Sequence, residues 1–157
     1  MRKLSYTEEQ FVVVEALMED IYGTFYEMTK QPNNPNEPDE STGFIYGYFS
    51  GEELVGAVVV NDYVERYAIG IIKKPTIVHY GVKDKVKNRN MIAEKLLKKA
   101  MEEAKTKSNE LYAIFILVVS RQNRDWHVKP NDKAVLDTLH FTTATLSYPG
   151  VYRVKLQ

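Results

Sequence analysis

The first part of the chain carries apolar residues at helical spacing. The stretch LSYTEEQFVVVEALMEDI predicts a short strand followed by a helix, because its apolar positions recur every three or four residues and so share one face. Thr7 and Gln10 form a capping-box pattern at the start of this helix. The predicted buried face comprises Phe11, Val14, Leu17, Met18 and Ile21. A second short helix is predicted around residues 22–29, and the proline-rich polar stretch 31–42 predicts a surface loop.

Runs of β-branched and aromatic residues predict the strands of a sheet. Residues 43–60 predict two strands joined by a turn at residues 51–53. Residues 66–82 continue as strand, with an interruption at Lys74 and Pro75, since proline cannot donate to a central ladder. The run LYAIFILVV, residues 111–119, predicts another strand.

Two further amphipathic segments predict helices, and a hairpin follows them. The first runs from Asn90 to Lys105 and has lysines and glutamates on its outer face, as in a helix that lies on a sheet. Its predicted inner face comprises Ile92, Leu96, Ala100 and Ala104. The second runs from Asn131 to Leu139, and the final hairpin turns at residues 149–150. The order β-α-(α)-β-β-β-α-β-α-β-β predicts a single mixed α/β (α+β) domain, residues 1–157, with helices covering a largely antiparallel sheet.

The composition excludes several kinds of site. The chain has no cysteine, which excludes disulfides, thiolate metal sites and cysteine nucleophiles and suits a reducing cytoplasm. It carries 21 basic and 21 acidic side chains, so no global charge indicates a nucleic-acid or membrane partner. No run of apolar residues is long enough to span a membrane. The three histidines lack the HExxH spacing, and no metal site is predicted.

The zero net charge hides an asymmetry along the chain. Residues 1–42 hold three basic and nine acidic side chains, whereas residues 73–107 hold eleven basic and four acidic ones. One interpretation is mutual solvation of two surfaces, and the other is a local anion site in the basic segment. The stretch VKNRNMIAEKLL favours the second, because a helix start offers unpartnered N–H groups and partial positive charge to a phosphate. It contains no glycine, however.

These segments resemble the GCN5-related N-acetyltransferase (GNAT) superfamily, most strongly over residues 76–141. The family pattern is a strand ending in Val, then Gln/Arg-x-x-Gly-x-Gly/Ala, then a helix carrying Leu-Leu. Here HYGV precedes KDKVKNRNMIAEKLL, which places Asn88 at the Gln/Arg, Met91 at the central Gly and Ala93 at the last position. The segment NDKAVLDTLHF resembles the family's Asn-x-x-Ala helix, with Asn131 at its first position.

The resemblance implies acetyl-CoA as co-substrate. In the family, the strand before the loop and the next long strand splay apart around the acyl-pantetheine arm. The backbone groups of Tyr80, Gly81 and Val82 would then hold the acyl carbonyl, while lysines of the loop and Arg89 would add positive charge for the phosphates. The implied cofactor-binding residues are Gly81, Val82, Lys87, Asn88, Arg89, Asn90, Met91, Ile92, Ala93 and Asn131.

The chemistry of such a site is the loss of a proton from an amine, attack on a thioester and protonation of the leaving thiolate. The family's usual glutamate is absent from the strand, and the usual tyrosine is absent from the Asn-x-x-Ala helix. Tyr80, Tyr148 and Tyr152 are the candidate catalytic replacements. Strand alternation predicts Thr76, Val78, Tyr80 and Val82 on one face, with Tyr80 toward the acceptor amine and His79 on the other face.

The resemblance implies an acyl-CoA-dependent N-acyltransferase that acts on a small-molecule or peptide amine by direct attack in a ternary complex. The acidic residues of segment 1–42 favour a cationic acceptor. The missing glycine and tyrosine leave a second interpretation open, a catalytically inactive GNAT-fold protein that binds acyl-CoA or a protein partner. A nucleic-acid partner is not predicted, because the lysines of segment 73–107 fall on the solvent side of a helix. Homodimers are common in the family, and the sequence leaves that question open.

Overall fold

The computed structural model describes residues 1–23, 43–66, 70–114, 130–144 and 151–157. Several predictions therefore lie outside the described residues. These are most of the second helix, the loop at 31–42, the end of the strand at 111–119, and the turn at 149–150.

The described elements follow the predicted order. The strands are β1 Arg2–Leu4, β2 Gly43–Ser50, β3 Glu53–Asn61, β4 Val64–Arg66, β5 Gly70–Ile72, β6 Thr76–Val82, β7 Glu110–Ile114, β8 Thr142–Thr143 and β9 Val151–Lys155, and the helices are α1 Glu8–Tyr22, α2 Arg89–Ala104 and α3 Pro130–Thr138. One element was not predicted: β4 pairs with β5 as a separate two-stranded antiparallel sheet. No described helix combines the length and the apolar character that crossing a membrane requires.

Seven of the strands form one sheet in the order β1-β2-β3-β6-β7-β9-β8. All its described pairs are antiparallel except β6 with β7, which are parallel. A parallel pair needs a crossover connection, and α2 supplies it between these two strands. The structure thus confirms the predicted mixed fold with a largely antiparallel sheet.

The sheet has a different helical layer on each face. Helix α1 covers one face, and its buried residues are Phe11, Val14, Leu17 and Met18, which pack with Ala57, Val59 and Val78 of the sheet. Helices α2 and α3 cover the other face, where Ile92, Leu96, Leu97 and Ala100 pack with Val58, Ile77, Tyr80 and Val82. The start of α1 is capped as predicted, with Thr7 Oγ1 accepting a hydrogen bond from the Gln10 N–H at 3.4 Å.

A β-bulge in β6 corrects the predicted side-chain alternation. Val59 of β3 pairs with His79, but the next residue, Val60, pairs with Ile77, so Val78 is the extra residue. Val78 consequently packs with α1, whereas Tyr80 and Val82 pack with α2 and α3. The prediction that Val78 shares a face with Tyr80 was therefore wrong, because a bulge breaks the two-residue period. The opposite placement of His79 and Tyr80 is confirmed.

Candidate functional site

Strand β6 has one edge that faces away from β3. The Lys83 N–H donates to the Val55 carbonyl on β3, so by antiparallel alternation the backbone groups of Gly81 also point toward β3. Those of Tyr80 and Val82 therefore point toward β7. The described pairing of β6 with β7 comprises Thr76 with Tyr112 and Ile77 with Ala113, and β7 is described as far as Ile114. We call the backbone of Tyr80 and Val82 on this side of the strand the β7-facing edge of β6.

The last residue of α1 reaches this edge. The Tyr22 hydroxyl donates a hydrogen bond to the Tyr80 carbonyl at 2.7 Å. The end of α1 also lies directly over Gly81: a Cβ atom there would stand 2.9 Å from Ile21 Cδ1 and 3.1 Å from the Tyr22 oxygen. A glycine inside a strand often marks such a close approach, and here it permits the contact between α1 and β6.

Helix α2 begins beside the same strand, after the connecting loop 83–88. Asn88 precedes the helix in the left-handed conformation, with φ of 60° and ψ of 37°, and its side chain makes no capping hydrogen bond among the described residues. No acidic residue lies in the first turn. Asn88, Asn90 and Met91 are exposed, and the Met91 side chain points outward with 43% of its surface accessible. The Met91 side chain therefore does not fold back over the start of α2.

The lysines of the connecting loop differ in whether they form ion pairs with the described residues. Lys83 lies 2.7 Å from Glu53 and 3.5 Å from Asp20. The hydrogen bond to Glu53 is the main cause of the raised pKa of Lys83. Lys85 and Lys87 are exposed and form no ion pair with the described residues. Their charges are therefore available to an anion at the start of α2.

The Arg89 side chain points inward to a carboxylate, and its predicted role in binding a phosphate stays a prediction. Only 8% of the guanidinium side chain is accessible, and its Nη2 atom donates to both oxygens of Asp132 at 3.0 and 3.1 Å. The Nε atom lies 3.4 Å from Asp84, but neither Nε nor Nη1 makes a hydrogen bond among the described residues. A buried carboxylate on α3 thus determines the direction of Arg89.

Tyr80 shares the same carboxylate. Its hydroxyl donates to Asp132 Oδ1 at 2.8 Å, and its side chain is 3% accessible. Burial is the main cause that raises the pKa of Tyr80 well above its ordinary value, and the charge of Asp132 raises it further. Burial alone would lower the pKa of Arg89, but the charge and hydrogen bond of Asp132 outweigh it and raise that pKa. We call Tyr80, Arg89 and Asp132 the buried triad.

The Tyr80 hydroxyl lies within the buried triad, and the catalytic role predicted for it stays a prediction. Its hydroxyl proton is directed at Asp132, on the face that carries α2 and α3. Tyr152 is 7% accessible in β9, beneath the Lys133 ammonium at 6.0 Å from its ring, and its catalytic role stays a prediction. Tyr148 lies outside the described residues.

The remaining predicted binding residues divide into exposed and buried groups. Lys87, Asn88, Asn90 and Met91 are exposed around the start of α2. Gly81 and Val82 belong to β6, and Ile92 and Ala93 are buried in the first turns of α2. Asn131 is the second residue of α3, which the structure describes by its backbone. The structure therefore brings the predicted loop, strand and helix start together on adjoining elements.

Sequence reasoning missed two residues of this region, Tyr22 and Asp132. Each had a signal. Gly81 interrupts an apolar strand, which indicates a close neighbour, and Tyr22 is that neighbour. Asp132 lies in the first turn of α3, where the helix dipole favours an acid, but the pattern does not show that it is buried.

The raised tyrosine pKa values predict a loss of stability at alkaline pH. Tyr46 donates to Glu103 at 2.9 Å, and burial, followed by Glu103, raises its pKa to about 12. Because an unfolded tyrosine ionises near pH 10, the unfolded state gains free energy above that pH while the folded state stays protonated. The free energy of unfolding should therefore fall by about 1.4 kcal/mol per pH unit from Tyr46 between about pH 10 and about pH 12, and Tyr80 should add to the loss. Urea unfolding across this range checks the slope, and Tyr46→Phe should make it shallower; an unchanged slope would contradict the assignment.

One surface groove is lined by residues other than those of the β7-facing edge. A groove of about 870 Å³ lies between the second half of α2 and β9, where Lys98, Met101 and Arg153 line it. Among the described residues, no group of three or more His, Cys, Asp or Glu side chains is placed to hold a metal ion.

The sequence matches no known family profile, and no curated protein is similar to it in sequence. Solved structures are similar in fold. The ribosomal-protein-S18-alanine N-acetyltransferase of Escherichia coli superposes with a TM-score of 0.62 at 8% identity, over 99% of this chain and 94% of the other. The aminoglycoside 6'-N-acetyltransferase of Enterococcus faecium gives 0.60 at 10% identity, over 100% and 98%. YhhK of Escherichia coli, solved with coenzyme A bound, gives 0.56 at 15% identity, over 99% and 96%. The chain therefore has the fold of the GCN5-related N-acetyltransferase superfamily.

Proposed function

We propose that this protein transfers an acyl group, most simply acetyl, from acyl-CoA to an amine. The observation that carries the proposal is the adjacency of the β7-facing edge of β6 and the start of α2. The β7-facing edge of β6 ends at Val82, and the start of α2, where Asn88 makes no side-chain capping hydrogen bond among the described residues, follows after a loop of six residues. The first surface suits a thioester arm and the second suits a pyrophosphate. A ligand with both groups would engage the two together.

The residues at the start of α2 fit a diphosphate. The helix has 16 residues, so its N-terminus carries the partial positive charge of a full helix dipole. The first N–H groups have no side-chain cap, and no carboxylate in the first turn competes for them. Lys85 and Lys87 would add two exposed charges, whereas the Arg89 charge is offset by Asp132. Ala93 is fully buried, so a larger residue would have no room at this turn.

The β7-facing edge of β6 is the proposed site for the acyl end of the same ligand. When bound, acetyl-CoA supplies an activated acyl group. The Val82 N–H points away from β3, and there it would donate to a carbonyl oxygen and stabilise negative charge that develops on it. The Tyr80 carbonyl is held on the Tyr22 hydroxyl, which fixes the position of this backbone. Strand β6 is buried on both faces, so the edge is rigid.

The structural neighbours support the same class of reaction. Two are N-acetyltransferases by name, one acting on a ribosomal-protein alanine and the other on aminoglycosides, and a third binds coenzyme A. At 8–15% identity these likenesses show the fold, so the acceptor of this chain is not transferred from them. The alternative, a GNAT-fold protein that binds acyl-CoA without catalysis, is favoured by one observation: the Tyr80 hydroxyl is committed to Asp132.

Calorimetric titration with acetyl-CoA tests the proposed ligand. Lys87→Glu should weaken binding about tenfold, a loss of about 1.4 kcal/mol, because it reverses a charge at the proposed phosphate site. Lys98→Glu is the matched control, since Lys98 is also exposed but lies farther along α2 and pairs with Glu94 at 2.9 Å. Equal losses in the two variants would assign the effect to general charge. Absence of binding to the wild-type protein would reject acetyl-CoA as the ligand.

A further inference from the structure

We propose that a second copy of this chain docks the outer face of its helix α1 into the groove between α2 and β9. The exposed residues Glu9, Val12, Val13 and Ala16 form this outer face, which we call the α1 ridge. We call its proposed receptor the α2–β9 groove. The inference goes beyond the proposed function, because the start of α2 and the β7-facing edge of β6 belong to neither surface.

The α1 ridge is apolar on a side of the helix that faces solvent. Val12 and Val13 are 64% and 45% accessible, and they stand side by side. One turn away along the helix surface lie Glu9 on one side and the small Ala16 on the other, both exposed. Neighbouring exposed apolar side chains with a charged residue beside them are typical of an interaction surface.

The α2–β9 groove has a volume of about 870 Å³ and an apolar floor. The apolar residues of its lining all pack with the core beneath α2, and they are Met101, Leu139, Val154 and Leu156. Lys105 and Arg153 also line the groove, are exposed and form no ion pair with the described residues. Glu102 lines it as well, but its charge is offset by Lys99 at 3.3 Å. The groove therefore suits an apolar ridge that carries negative charge.

Helix α1 has that charge. Its sequence EEQFVVVEALMEDIY contains five acidic residues and no basic one. Two α1 helices would repel each other if they packed together, so an interface between two α1 ridges is disfavoured. A basic groove attracts the same helix. The chain thus carries both halves of a complementary pair, which is why we name a second copy as the partner.

The two surfaces cannot meet within one molecule. Helix α1 covers one face of the sheet, whereas α2 and the groove residues Leu139 and Val154 belong to the opposite face. The ridge must therefore come from another copy, as a helix laid in a groove. Because a ridge meets a groove and not a second ridge, the contact is head to tail. Such contacts link copies into a closed ring or an open chain.

Sedimentation velocity over a series of protein concentrations tests this association. The wild-type protein should form larger species as its concentration rises, and about 1 M NaCl should weaken them by screening the charges. The double variant Val12→Ser, Val13→Ser should weaken association about tenfold or more, because it removes the apolar contact. Serine and valine have similar helix propensities, so α1 should remain folded. Lys105→Glu, Arg153→Glu should have a comparable effect, because it reverses the charge of the groove.

Lys73→Glu, Lys95→Glu is the matched control for charge. It changes the net charge of the chain by the same amount, at two exposed positions that do not line the groove. This control should associate as the wild-type protein does. A loss equal to that of Lys105→Glu, Arg153→Glu would overturn the inference, because the effect would then follow net charge and not the groove.

A mixture of the two interface variants tests the head-to-tail arrangement. The valine variant keeps an intact groove, and the groove variant keeps an intact α1 ridge. At a concentration where each alone is mostly monomeric, an equimolar mixture should form a dimer of one copy of each and nothing larger. A mixture that stays monomeric would overturn the inference, as would a wild-type protein that is monomeric at about 1 mM.

Discussion

Asp132→Ala should lower the free energy of unfolding by about 3–5 kcal/mol, because it removes one partner of a buried ion pair. The Arg89 guanidinium would keep its burial and lose the carboxylate that accepts from Nη2 at 3.0 and 3.1 Å. The Tyr80 hydroxyl would lose its acceptor at the same time. Two of the guanidinium nitrogens, Nε and Nη1, already make no hydrogen bond among the described residues. Without Asp132, the exposed Asp84 would be the carboxylate left to pair with the guanidinium charge in the described part of the chain.

Denaturant unfolding with two comparison variants tests the origin of this loss. Asp137→Ala removes a carboxylate from the same helix, but Asp137 is 57% accessible and pairs with Lys133 on the surface, so the expected cost is about 0.5 kcal/mol or less. The double variant Arg89→Leu, Asp132→Leu removes both charges and should recover much of the stability lost in Asp132→Ala. A double variant no more stable than Asp132→Ala would show that packing, and not the stranded charge, determines the cost.

The buried triad also has a consequence for the site. Its three members come from β6, the first turn of α2 and the first turn of α3, and these elements surround the proposed acyl-CoA site. Asp132 connects these three elements, because its carboxylate accepts hydrogen bonds of 2.8 to 3.1 Å from Tyr80 and Arg89. We therefore expect Asp132→Asn, which keeps an acceptor but loses the charge, to weaken acetyl-CoA binding indirectly by loosening the start of α2.

The fold was predictable because it depends on periodic patterns. The inner face of α2, read from residues three and four apart, is buried as predicted, and its helix begins one residue before the predicted start. The hairpin of β2 and β3 follows from two apolar runs around a glycine, and that glycine has the positive φ of 62° that the turn requires. Such patterns correspond to the helices and strands of the structure, because burial of a continuous apolar face stabilises these elements.

The site was less predictable because it depends on single residues that interrupt those patterns. The bulge at Val78 shifts every later side chain of β6 by one position, and no alternation rule indicates where it occurs. The direction of Arg89 depends on Asp132, which lies 43 residues away in sequence. A basic residue in a basic loop suggests a phosphate ligand, and only the three-dimensional structure shows that a buried acid is its partner.

Gly81→Ala should reduce the rate of the proposed acyl transfer about tenfold, because it displaces the Tyr22 ring whose hydroxyl holds the Tyr80 carbonyl. The new Cβ would stand 3.1 Å from the Tyr22 oxygen and 3.2 Å from Tyr22 Cε2, both closer than ordinary contact. Gly81 has no positive φ, so the backbone itself accepts alanine. The tyrosine must therefore move, and the contact with the Tyr80 carbonyl must lengthen. Single-turnover kinetics with acetyl-CoA and ethylamine would measure the effect.

A double-variant cycle in stability tests the same contact without any assumption about function. Overpacking should make Gly81→Ala cost about 1–3 kcal/mol in the wild-type background. In Tyr22→Ala the ring is gone, and only the end of the flexible Ile21 side chain remains at 2.9 Å. There the substitution should be neutral or stabilise by up to about 1 kcal/mol, because alanine restricts the unfolded chain more than glycine does. The change of sign would place the Tyr22 ring over Gly81, whereas an equal cost in both backgrounds would show that another contact limits residue 81.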